Sequence, residues 1–527
     1  MPAFAPWRHS LGEYTGKGEP TTAFFRLLHK DLRRSLWTFS ASRLKIASVL
    51  QESNDRIDRP FTPYPIEGIY DRASRAALLP SRPSPLCGKD GRNHKGIVGR
   101  TENATMSTLR ETTWETSGAR VPDFFLRPGH IPGFEQYASL AETVDPSRYD
   151  RPRLTEKLEQ FLLTRPEAPF LAVDLDVVAD KYRELCDHFP AASIYYAVKA
   201  NPAREVVALL AAMGSSFDVA SRPELDMCLA LGVPPSRLSY GNTIKKAADI
   251  EYAFRHGVRR FAFDSEAELR KLAVHAPWAE VMCRLQTTGE NAGWPLSRKF
   301  GCDLEMAADL LVLARDLGLR AMGVTFHVGS QQTDPTQWRK PLREAAGLFR
   351  KLARQGIALD TVNIGGGFPV PYERTVPPVS CFAHAISEAM TDAFGASHPK
   401  LMLEPGRSLV AEAGVIQSEV VLVSRKSRHD QTRWVYLDVG KFGGLAETLD
   451  ESIKYRLRTA RTGATGPVVL AGPTCDSADI LYEKTGYDLP LNLECGDRVE
   501  ILNTGSYTSS YASVGFNGFP PLRTFCL

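Results

Sequence analysis

The 527-residue chain is 43% hydrophobic and 24% charged, a composition typical of a soluble globular protein. It contains no run of about 18 apolar residues, which excludes a predicted transmembrane helix. The formal net charge of +3 is too small to indicate a nucleic-acid partner, so we expect the chain to bind neither nucleic acid nor membrane.

The N-terminal fifth of the chain differs from the rest in charge and in pattern. Residues 1–105 carry 17 Lys and Arg against 10 Asp and Glu and show no sustained periodicity. The segment "FFRLLHKDLRRSLW" (24–37) predicts a short amphipathic helix within turn and linker composition. We predict a poorly ordered basic extension over residues 1–110. Its acidic residues argue against a targeting peptide, and translation from a start upstream of Met106 is the open alternative.

A regular alternation of short apolar runs and helical segments begins after a lead-in segment, residues 111–174. Over residues 175–412 we count eight predicted strands separated by helices: "IYYAVKA", "SFDVAS", "RLSYGNT", "RRFAFDS", "EVMCRLQT", "MGVTFHVGS", "DTVNIGGGF" and "KLMLEPGR". Strand–helix alternation implies a parallel sheet with right-handed crossovers. Eight such units over this length predict a (β/α)8 TIM barrel.

After Arg407 the helical patterns nearly stop. Segments such as "GVIQSEVVLVSRKS" and "DRVEILNTGSYT" are β-rich and separated by turns. We therefore predict a separate C-terminal β domain over residues 413–527. The strand "PFLAVD" (169–174), which ends the lead-in segment, is its predicted partner.

The nine cysteines are odd in number, widely spaced and free of CxxC pairs. No secretory signal is evident before them, so we expect reduced thiols in a cytoplasmic protein. The spacing predicts no metal site.

Polar residues stand at the ends of the eight predicted strands. In chain order they are Lys199, Asp218, Asn242, Asp264, Arg284, His327, the run Gly365 to Gly367, and Glu404 with Arg407. Any one of them alone is most simply a helix cap or a structural polar residue. Because the carboxyl ends of barrel strands form the active site, their joint occurrence predicts a catalytic centre there.

The residue types at these strand ends suit one cofactor. "NIGGGFP" predicts a backbone nest for an anion, and barrels commonly bind phosphate after strands seven and eight. Burial would lower the pKa of Lys199 and populate the neutral amine that forms a Schiff base. Pyridoxal 5′-phosphate would use both features, with Glu404 pairing with the pyridine nitrogen, His327 on one ring face and Arg407 at the phosphate.

The sequence resembles the barrel-type (fold-type III, alanine racemase-like) pyridoxal-phosphate decarboxylases of basic amino acids, and most closely the bacterial ornithine/lysine decarboxylases. The motifs that carry the resemblance are "YYAVKANP", "FDVAS", "YGNTIKK", "FHVGSQ", "NIGGGFP", "EPGR", "AGPTCDSAD", "GSYT" and "FNGF". They cover about residues 165–527 and occur in the family's order. The resemblance implies decarboxylation of L-ornithine to putrescine for polyamine synthesis, with L-lysine to cadaverine as a second expected reaction.

The resemblance also implies roles for individual residues. Lys199 resembles the Schiff-base lysine, Glu404 the partner of the pyridine nitrogen and His327 the residue stacked on the ring. The implied phosphate cradle comprises Ser330, Gly365, Gly366, Gly367, Arg407 and Tyr507. The implied shell around the lysine and the ring hydroxyl comprises Asp218, Glu224 and Arg284.

Two neighbouring residues are implied to complete the site from a second subunit. Cys475 resembles the acid that reprotonates the α-carbon, and a thiol that is mostly protonated at neutral pH suits that task. Asp476 resembles the carboxylate that receives the distal ammonium of the substrate. In the family both enter from the partner, which implies a head-to-tail homodimer.

The segment "GKFGGLAETLDESIKYRL" (440–457) departs from the eukaryotic ornithine enzymes. The family places a second acidic substrate contact there, and Asp450 or Glu451 is the local candidate. The alternatives are a diaminopimelate or carboxynorspermidine decarboxylase, which Asp476 disfavours, and an alanine racemase, which lacks support because Tyr507 lies in a phosphate context. An inactive, decarboxylase-like regulatory binding protein is the alternative from outside the enzymes.

Overall fold

The computed structural model describes residues 154–164, 166–294 and 299–527. The predicted extension over residues 1–110, with its helix at 24–37, and most of the lead-in segment lie outside these residues. No helix within the described part of the chain combines the length and the hydrophobicity needed to cross a membrane.

Eight parallel strands close into a barrel, which confirms the predicted (β/α)8 fold. Each strand pairs with the next along the ring, and the last strand returns to pair with the first, so that Leu403 lies opposite Ile194. The barrel strands are β2 Ala192–Ala197, β3 Ser216–Val219, β4 Leu238–Tyr240, β5 Arg260–Phe263, β6 Glu280–Arg284, β8 Arg320–Thr325, β10 Thr361–Asn363 and β11 Lys400–Leu403.

The first helix, α1 Glu156–Leu163, precedes the barrel and packs its Leu158 and Leu162 against Phe170 and Val415 outside the barrel. The other helices alternate with the barrel strands and form the outer layer: α2 Leu175–His188, α3 Arg204–Ala212, α4 Arg222–Ala230, α5 Ala247–Arg255, α6 Glu266–His275, α7 Leu304–Asp316, α8 Arg339–Ala353, α9 Val379–Phe394 and the short α10 Arg407–Val410. Helix α7 shows why these segments form helices. Asp303 caps its first turn by accepting from the amide of Met306 at 2.8 Å. Its apolar residues recur at helical spacing, and Leu311 and Ala314 are buried toward the barrel.

The chain after the barrel is β-rich, as predicted. With one strand from before the barrel it forms an eight-stranded sheet of β1 Phe170–Val173, β12 Gly414–Ser424, β13 Arg433–Leu437, β14 Leu457–Thr459, β15 Thr465–Ala471, β16 Tyr487–Pro490, β17 Arg498–Leu502 and β18 Arg523–Cys526. Strand β1 precedes the barrel in the chain, yet it pairs antiparallel with β12 and parallel with β18. The chain therefore enters and leaves the barrel through the same sheet. A further antiparallel pair consists of β7 Ala292–Trp294 and β9 Ser330–Gln332.

The barrel interior is apolar away from the carboxyl ends of its strands. Tyr195, Met282, Met322 and Met402 form a buried cluster contributed by four of the barrel strands. Polar side chains are concentrated where the strands end, and the candidate site lies there.

Candidate active site

Lys199 lies immediately after β2, in a single 3-10 turn formed by Val198–Ala200. Its Nζ donates to Oδ2 of Asp218 at 2.5 Å. The backbone of the turn is held by the β domain, because the amide of Tyr507 donates to the carbonyl of Ala200 at 2.8 Å and the hydroxyl of Ser510 donates to the carbonyl of Lys199 at 2.9 Å. Two separate parts of the chain thus fix the lysine.

The expectation that burial leaves Lys199 with a lowered pKa is wrong for the chain without cofactor. The Lys199 side chain is 45% exposed and not buried as expected. Desolvation by the surrounding protein lowers its pKa, but the negative charges of Asp218 and Glu404 and the Tyr507 phenol outweigh this effect and raise the pKa above its ordinary value. The ammonium form is therefore the stable one here. The carboxylate of Asp218, at 2.5 Å from Nζ, is the physical reason.

Asp218 is a buried carboxylate that points into the barrel from β3, with 3% of its surface exposed. Its Oδ1 has no hydrogen-bond partner among the described residues. It fits only because residue 241 is glycine, since a Cβ there would lie 2.1 Å from Oδ1. Nearby, Glu224 accepts from the amide of Ala220 at 2.6 Å, and burial raises the pKa of Glu224.

Glu404 follows β11 directly, and the charges of Asp218 and Lys199 act on its carboxyl group. Asn363, the last residue of β10, donates its Nδ2 to Oε1 of Glu404 at 2.6 Å. Burial, and then the charge of Asp218, raise the pKa of Glu404 to about 7. This carboxyl group therefore takes up a proton at a higher pH than an ordinary glutamate does.

His327 follows β8 by two residues, and its ring is neutral. Its Nδ1 accepts a hydrogen bond from the amide of Gly329 at 3.0 Å, so this nitrogen carries no proton. Burial, with the positive charges of Arg284 and Lys199, lowers the pKa of His327 to about 3. Arg284 ends β6, and its guanidinium carbon lies 5.1 Å from the centroid of the Phe300 ring. Burial lowers the pKa of Arg284 against the opposing charges of Glu404, Asp218 and Asp264.

The three glycines after β10 stand where side chains cannot. Gly365 has a φ of 66°, and a Cβ on it would lie 2.4 Å from the carbonyl oxygen of Phe326. A Cβ on Gly366 would lie 2.4 Å from the carbonyl oxygen of Glu404. The triple glycine is therefore required by the close approach of neighbouring strand ends, and it leaves a cradle lined by backbone, which suits an anion.

Arg407 is 3% exposed and uses all its N–H groups within the protein. Two of them donate to both oxygens of Glu447, at 2.8 and 2.6 Å. Another donates to the hydroxyl of Tyr372 at 2.6 Å, and two more to Oγ of Ser330 at 3.1 and 3.2 Å. Its guanidinium carbon also lies 5.1 Å from the Tyr507 ring centroid. Arg407, Ser330 and Tyr507, three of the predicted cradle residues, are thus adjacent. A direct contact between Arg407 and a phosphate would replace one of these hydrogen bonds.

Cys475 and Asp476 lie on an exposed loop between β15 and β16. The amide of Cys475 donates to Oδ1 of Asn517 at 2.8 Å, and Oδ1 of Asp476 accepts from the amide of Ala478 at 2.8 Å. The Cys475 thiol is free. These contacts shape the loop, and none of them reaches the Lys199 group.

The two acidic candidates in the 440–457 segment have different surroundings. Both have left-handed backbones, with φ of 52° at Asp450 and 58° at Glu451. Asp450 is exposed. The carboxylate of Glu451 accepts from the amides of Lys484 and Thr485, at 2.7 and 2.8 Å, and although burial opposes it, these hydrogen bonds lower the pKa of Glu451. Glu451 therefore has a structural use for both its oxygens within one chain.

Some strand-end residues serve the neighbouring loops instead of the Lys199 group. Asp264 accepts from the amide of Gly301 at 2.9 Å, and Asn242 donates to the carbonyl of Ala220 at 3.2 Å. Sequence reasoning missed Asn363, Glu447 and Gly241. The first two could have been found only from their partners in space, and Gly241 appears in the sequence as an ordinary turn glycine. Within the described residues, no cluster of three or more His, Cys, Asp or Glu is arranged to hold a metal ion.

Comparison with known proteins places the chain in a family. The family described as "Pyridoxal-dependent decarboxylase, pyridoxal binding domain" matches residues 175–411. The lysine/ornithine decarboxylase of Selenomonas ruminantium is 37% identical over 368 residues, which span 70% of this chain and 91% of that protein. The chain belongs to this decarboxylase family. Pyridoxal phosphate is its cofactor, and the reaction class is decarboxylation.

A solved structure and a second relative extend the comparison. The crystal structure of SrLDC, the lysine decarboxylase of Selenomonas ruminantium, with PLP and cadaverine has a TM-score of 0.65 and 35% identity, and covers 71% of this chain and 94% of that one. Antizyme inhibitor 2 of Xenopus laevis is 30% identical over 383 residues, which span 70% of this chain and 83% of that protein. Relatives of this decarboxylase thus include a protein that is named for inhibition.

Proposed function

We propose that this decarboxylase converts L-ornithine to putrescine and carbon dioxide, and L-lysine to cadaverine. The observation that carries the proposal is the presence of two groups of residues in the same chain. Lys199, Asp218 and Glu404 form one charge-coupled cluster at the barrel end, and Asp476, an exposed carboxylate, adjoins the free thiol of Cys475. A carboxylate placed to meet a distal ammonium selects diamino acids, because an unpaired charge in a closed pocket costs several kcal/mol.

The residues of the barrel fit the cofactor. Lys199 would hold it covalently, Glu404 would meet its ring nitrogen, and His327, neutral and fixed by Gly329, would lie against the ring. The backbone cradle at Gly365 to Gly367 and the hydroxyl of Ser330, which Arg407 orients, would hold its phosphate. When bound, pyridoxal phosphate supplies an electron sink for the carbon that loses carbon dioxide. The chain's own task at that stage is to keep water out, hold the ring and deliver a proton.

Cys475 would deliver that proton to the α-carbon, and Asp476 would orient the substrate by its distal amine, with Asp450 or Glu451 as the second acidic contact. Since both Cys475 and Asp476 are exposed in one chain, we propose that they act in the site of a partner subunit within a head-to-tail homodimer. An apolar surface accompanies them and supports this, because it includes the exposed Val514, Phe516 and Phe519. The barrel domain, 175–412, would then meet the β domain, 413–527, of a second copy.

The kinship with an antizyme inhibitor favours one second candidate, a regulatory protein without activity. The retained Lys199, Glu404 and Cys475 argue for the enzyme, since a protein that acts only by binding has no need of them together. The eight cysteines of the described residues are thiols outside any disulfide, which supports a reducing, cytoplasmic setting for either candidate.

The deciding experiment is a side-by-side steady-state assay of the purified protein with L-ornithine, L-lysine and meso-diaminopimelate, with visible absorbance read before and after pyridoxal phosphate is added. We expect carbon dioxide and the diamine from the first two substrates, and a coloured protein. Turnover of diaminopimelate alone would contradict the diamino-acid assignment. A protein that stays colourless and inactive with added cofactor would favour the regulatory candidate.

A further inference from the structure

The loop that carries Cys475 and Asp476 is organised around a buried aspartate that has no assigned role. Asp479 is 2% exposed. Its Oδ2 accepts from the amide of Thr474 at 3.2 Å and from the hydroxyl of Thr474 at 2.7 Å. Its Oδ1 accepts from the amide of Lys441 at 2.7 Å. One carboxylate therefore joins the loop after β15 to the loop after β13.

Two glycines make room for this carboxylate. A Cβ on Gly440 would lie 2.2 Å from Oδ1 of Asp479, and a Cβ on Gly472 would lie 2.3 Å from its Oδ2. Neither glycine has a positive φ, so the need for glycine here is close approach and not backbone freedom. The two loops thus converge on Asp479 from both sides.

Backbone bonds extend the same unit. The amide of Asp479 donates to the carbonyl of Asp476 at 3.1 Å, and the amide of Gly472 donates to the carbonyl of Asp479 at 2.9 Å. On the other side of the turn, Asn517 fixes the amide of Cys475 at 2.8 Å. The residues on both sides of the Thr474–Cys475 bond are therefore held by side chains.

The loop after β13 also contacts the neighbouring segments near both of its ends. Phe442 packs on Phe516 with ring centroids 4.9 Å apart, and its carbonyl accepts from the amide of Ser513 at 2.9 Å. At the far end, Glu451 accepts from the amides of Lys484 and Thr485. The segments 440–451, 472–485 and 511–518 form one connected unit, with the Asp479 carboxylate at its centre.

We propose that Asp479 is a positioning residue that sets the Cys475 thiol and the Asp476 carboxylate for the proposed diamino-acid decarboxylation. It touches neither substrate nor cofactor and acts through Thr474 and Lys441. A carboxylate is the group required because it accepts three hydrogen bonds at once, while an amide in its place offers one acceptor oxygen and adds a donor facing donors. The inference rests on the proposed function for its kinetic consequence, and on the hydrogen bonds alone for its structural consequence.

The structural consequence is tested in Asp479→Asn by site-resolved hydrogen exchange on the full-length protein. We expect faster exchange at the amides of Lys441 and Thr474 and through 473–478, with unchanged exchange in the barrel strands. Asp497→Asn is the matched control, because Asp497 accepts the amide of Glu494 at 2.7 Å in the turn before β17. Unchanged exchange at Lys441 and Thr474 in Asp479→Asn would overturn the proposal.

The kinetic consequence is tested with the cofactor-loaded enzyme and L-ornithine. We expect kcat to fall by up to about 100-fold, the cost of misplacing a catalytic group by roughly 1 Å, with unchanged absorbance of bound pyridoxal phosphate. The aldehyde fraction of the product should rise. A proton delivered to the cofactor instead of to the α-carbon leaves a carbon–nitrogen double bond at the former α-carbon, and water hydrolyses it to an aldehyde while the amino group stays on the cofactor. Asp497→Asn should show neither change.

A double-mutant cycle separates positioning from general damage to the fold. If Asp479 acts through Cys475, adding Asp479→Asn to Cys475→Ala lowers kcat little further. Additive losses, or a wild-type kcat and product ratio in Asp479→Asn, would overturn the proposal. If Asp479→Asn does not fold, Thr474→Val removes only the hydroxyl donor and should give the same changes at smaller size. A wild-type enzyme inactive on both diamino acids would end the proposed function, while the exchange result would still decide the positioning role.

Discussion

The two groups of candidate catalytic residues are built in opposite ways. Lys199, Asp218 and Glu404 stand on neighbouring barrel strands and shift one another's pKa values. Cys475 and Asp476 are exposed on a loop of the β domain, where hydrogen bonds hold the backbone amide of Cys475 and one carboxylate oxygen of Asp476. Within the described residues of one chain, the contacts of this loop do not reach the barrel cluster to which we assign the cofactor. The proposed division of the chemistry between two subunits would account for this difference.

The largest expected effect comes from two variants, each of which disables one of these two groups. Lys199→Ala and Cys475→Ala should each reduce turnover to near background, the first without covalent attachment of the cofactor and the second with it. Co-refolding equal amounts should restore roughly a quarter of wild-type activity, because half of randomly formed dimers are mixed and each mixed dimer has one intact site. Activity that is not restored in the mixture, in spite of mixed dimers detected by mass, would show that each chain serves its own site.

The buried ion pair between the barrel end and the β domain should matter for stability. Glu447, from the β domain, and Arg407, from the barrel end, are both almost fully buried. Glu447→Gln should lower the free energy of unfolding by about 3 kcal/mol, because the guanidinium keeps its burial and loses its counter-charge. Urea denaturation of the cofactor-free protein measures this. Glu412→Gln is the control, since the Glu412–Lys181 pair is partly exposed and should contribute less than about 1 kcal/mol.

Asp476→Ala tests the proposed contact between the exposed Asp476 carboxylate and the substrate. We expect kcat/KM for L-ornithine and L-lysine to fall by about 100-fold, or roughly 2.7 kcal/mol, with the colour of the bound cofactor unchanged. Asp488→Ala, an exposed carboxylate on β16, is the matched control. An equal loss in the two variants would remove the case for a specific contact with the distal amine.

A smaller effect concerns the pH dependence of the barrel cluster. Asp218 raises the pKa of Lys199 in the folded chain, so this ion pair stabilises the fold below the ordinary lysine pKa and is lost as pH rises through the raised one. In Asp218→Asn burial acts with less opposition, and the neutral amine is populated at lower pH. The rate of covalent attachment of pyridoxal phosphate to the cofactor-free protein should therefore reach its plateau at lower pH than in the wild type. An unmoved profile would refute the part given to Asp218.

The sequence predicted the barrel cluster well for a physical reason. Strand ends of a barrel share one edge, so counting strands was enough to bring Lys199, His327 and Glu404 together. The direction of the Lys199 pKa was wrong, because it depends on a 2.5 Å contact with Asp218 that counting cannot supply. Glu447 and Asp479 were missed because each acts through partners in other loops, and their spacing in the chain carries no sign of it.

The pairing of β1 with β18 also bears on how this protein is made. Phe170 lies opposite Arg523 in a parallel register, and the whole barrel is encoded between them. A ribosome releases β1 long before β18, so the edge of β1 waits unpaired during synthesis of the barrel and most of the β domain. The pairing of β1 with β18 therefore forms late in the synthesis of each chain. Ribosome-bound chains stalled before residue 523 should bind chaperones through β1.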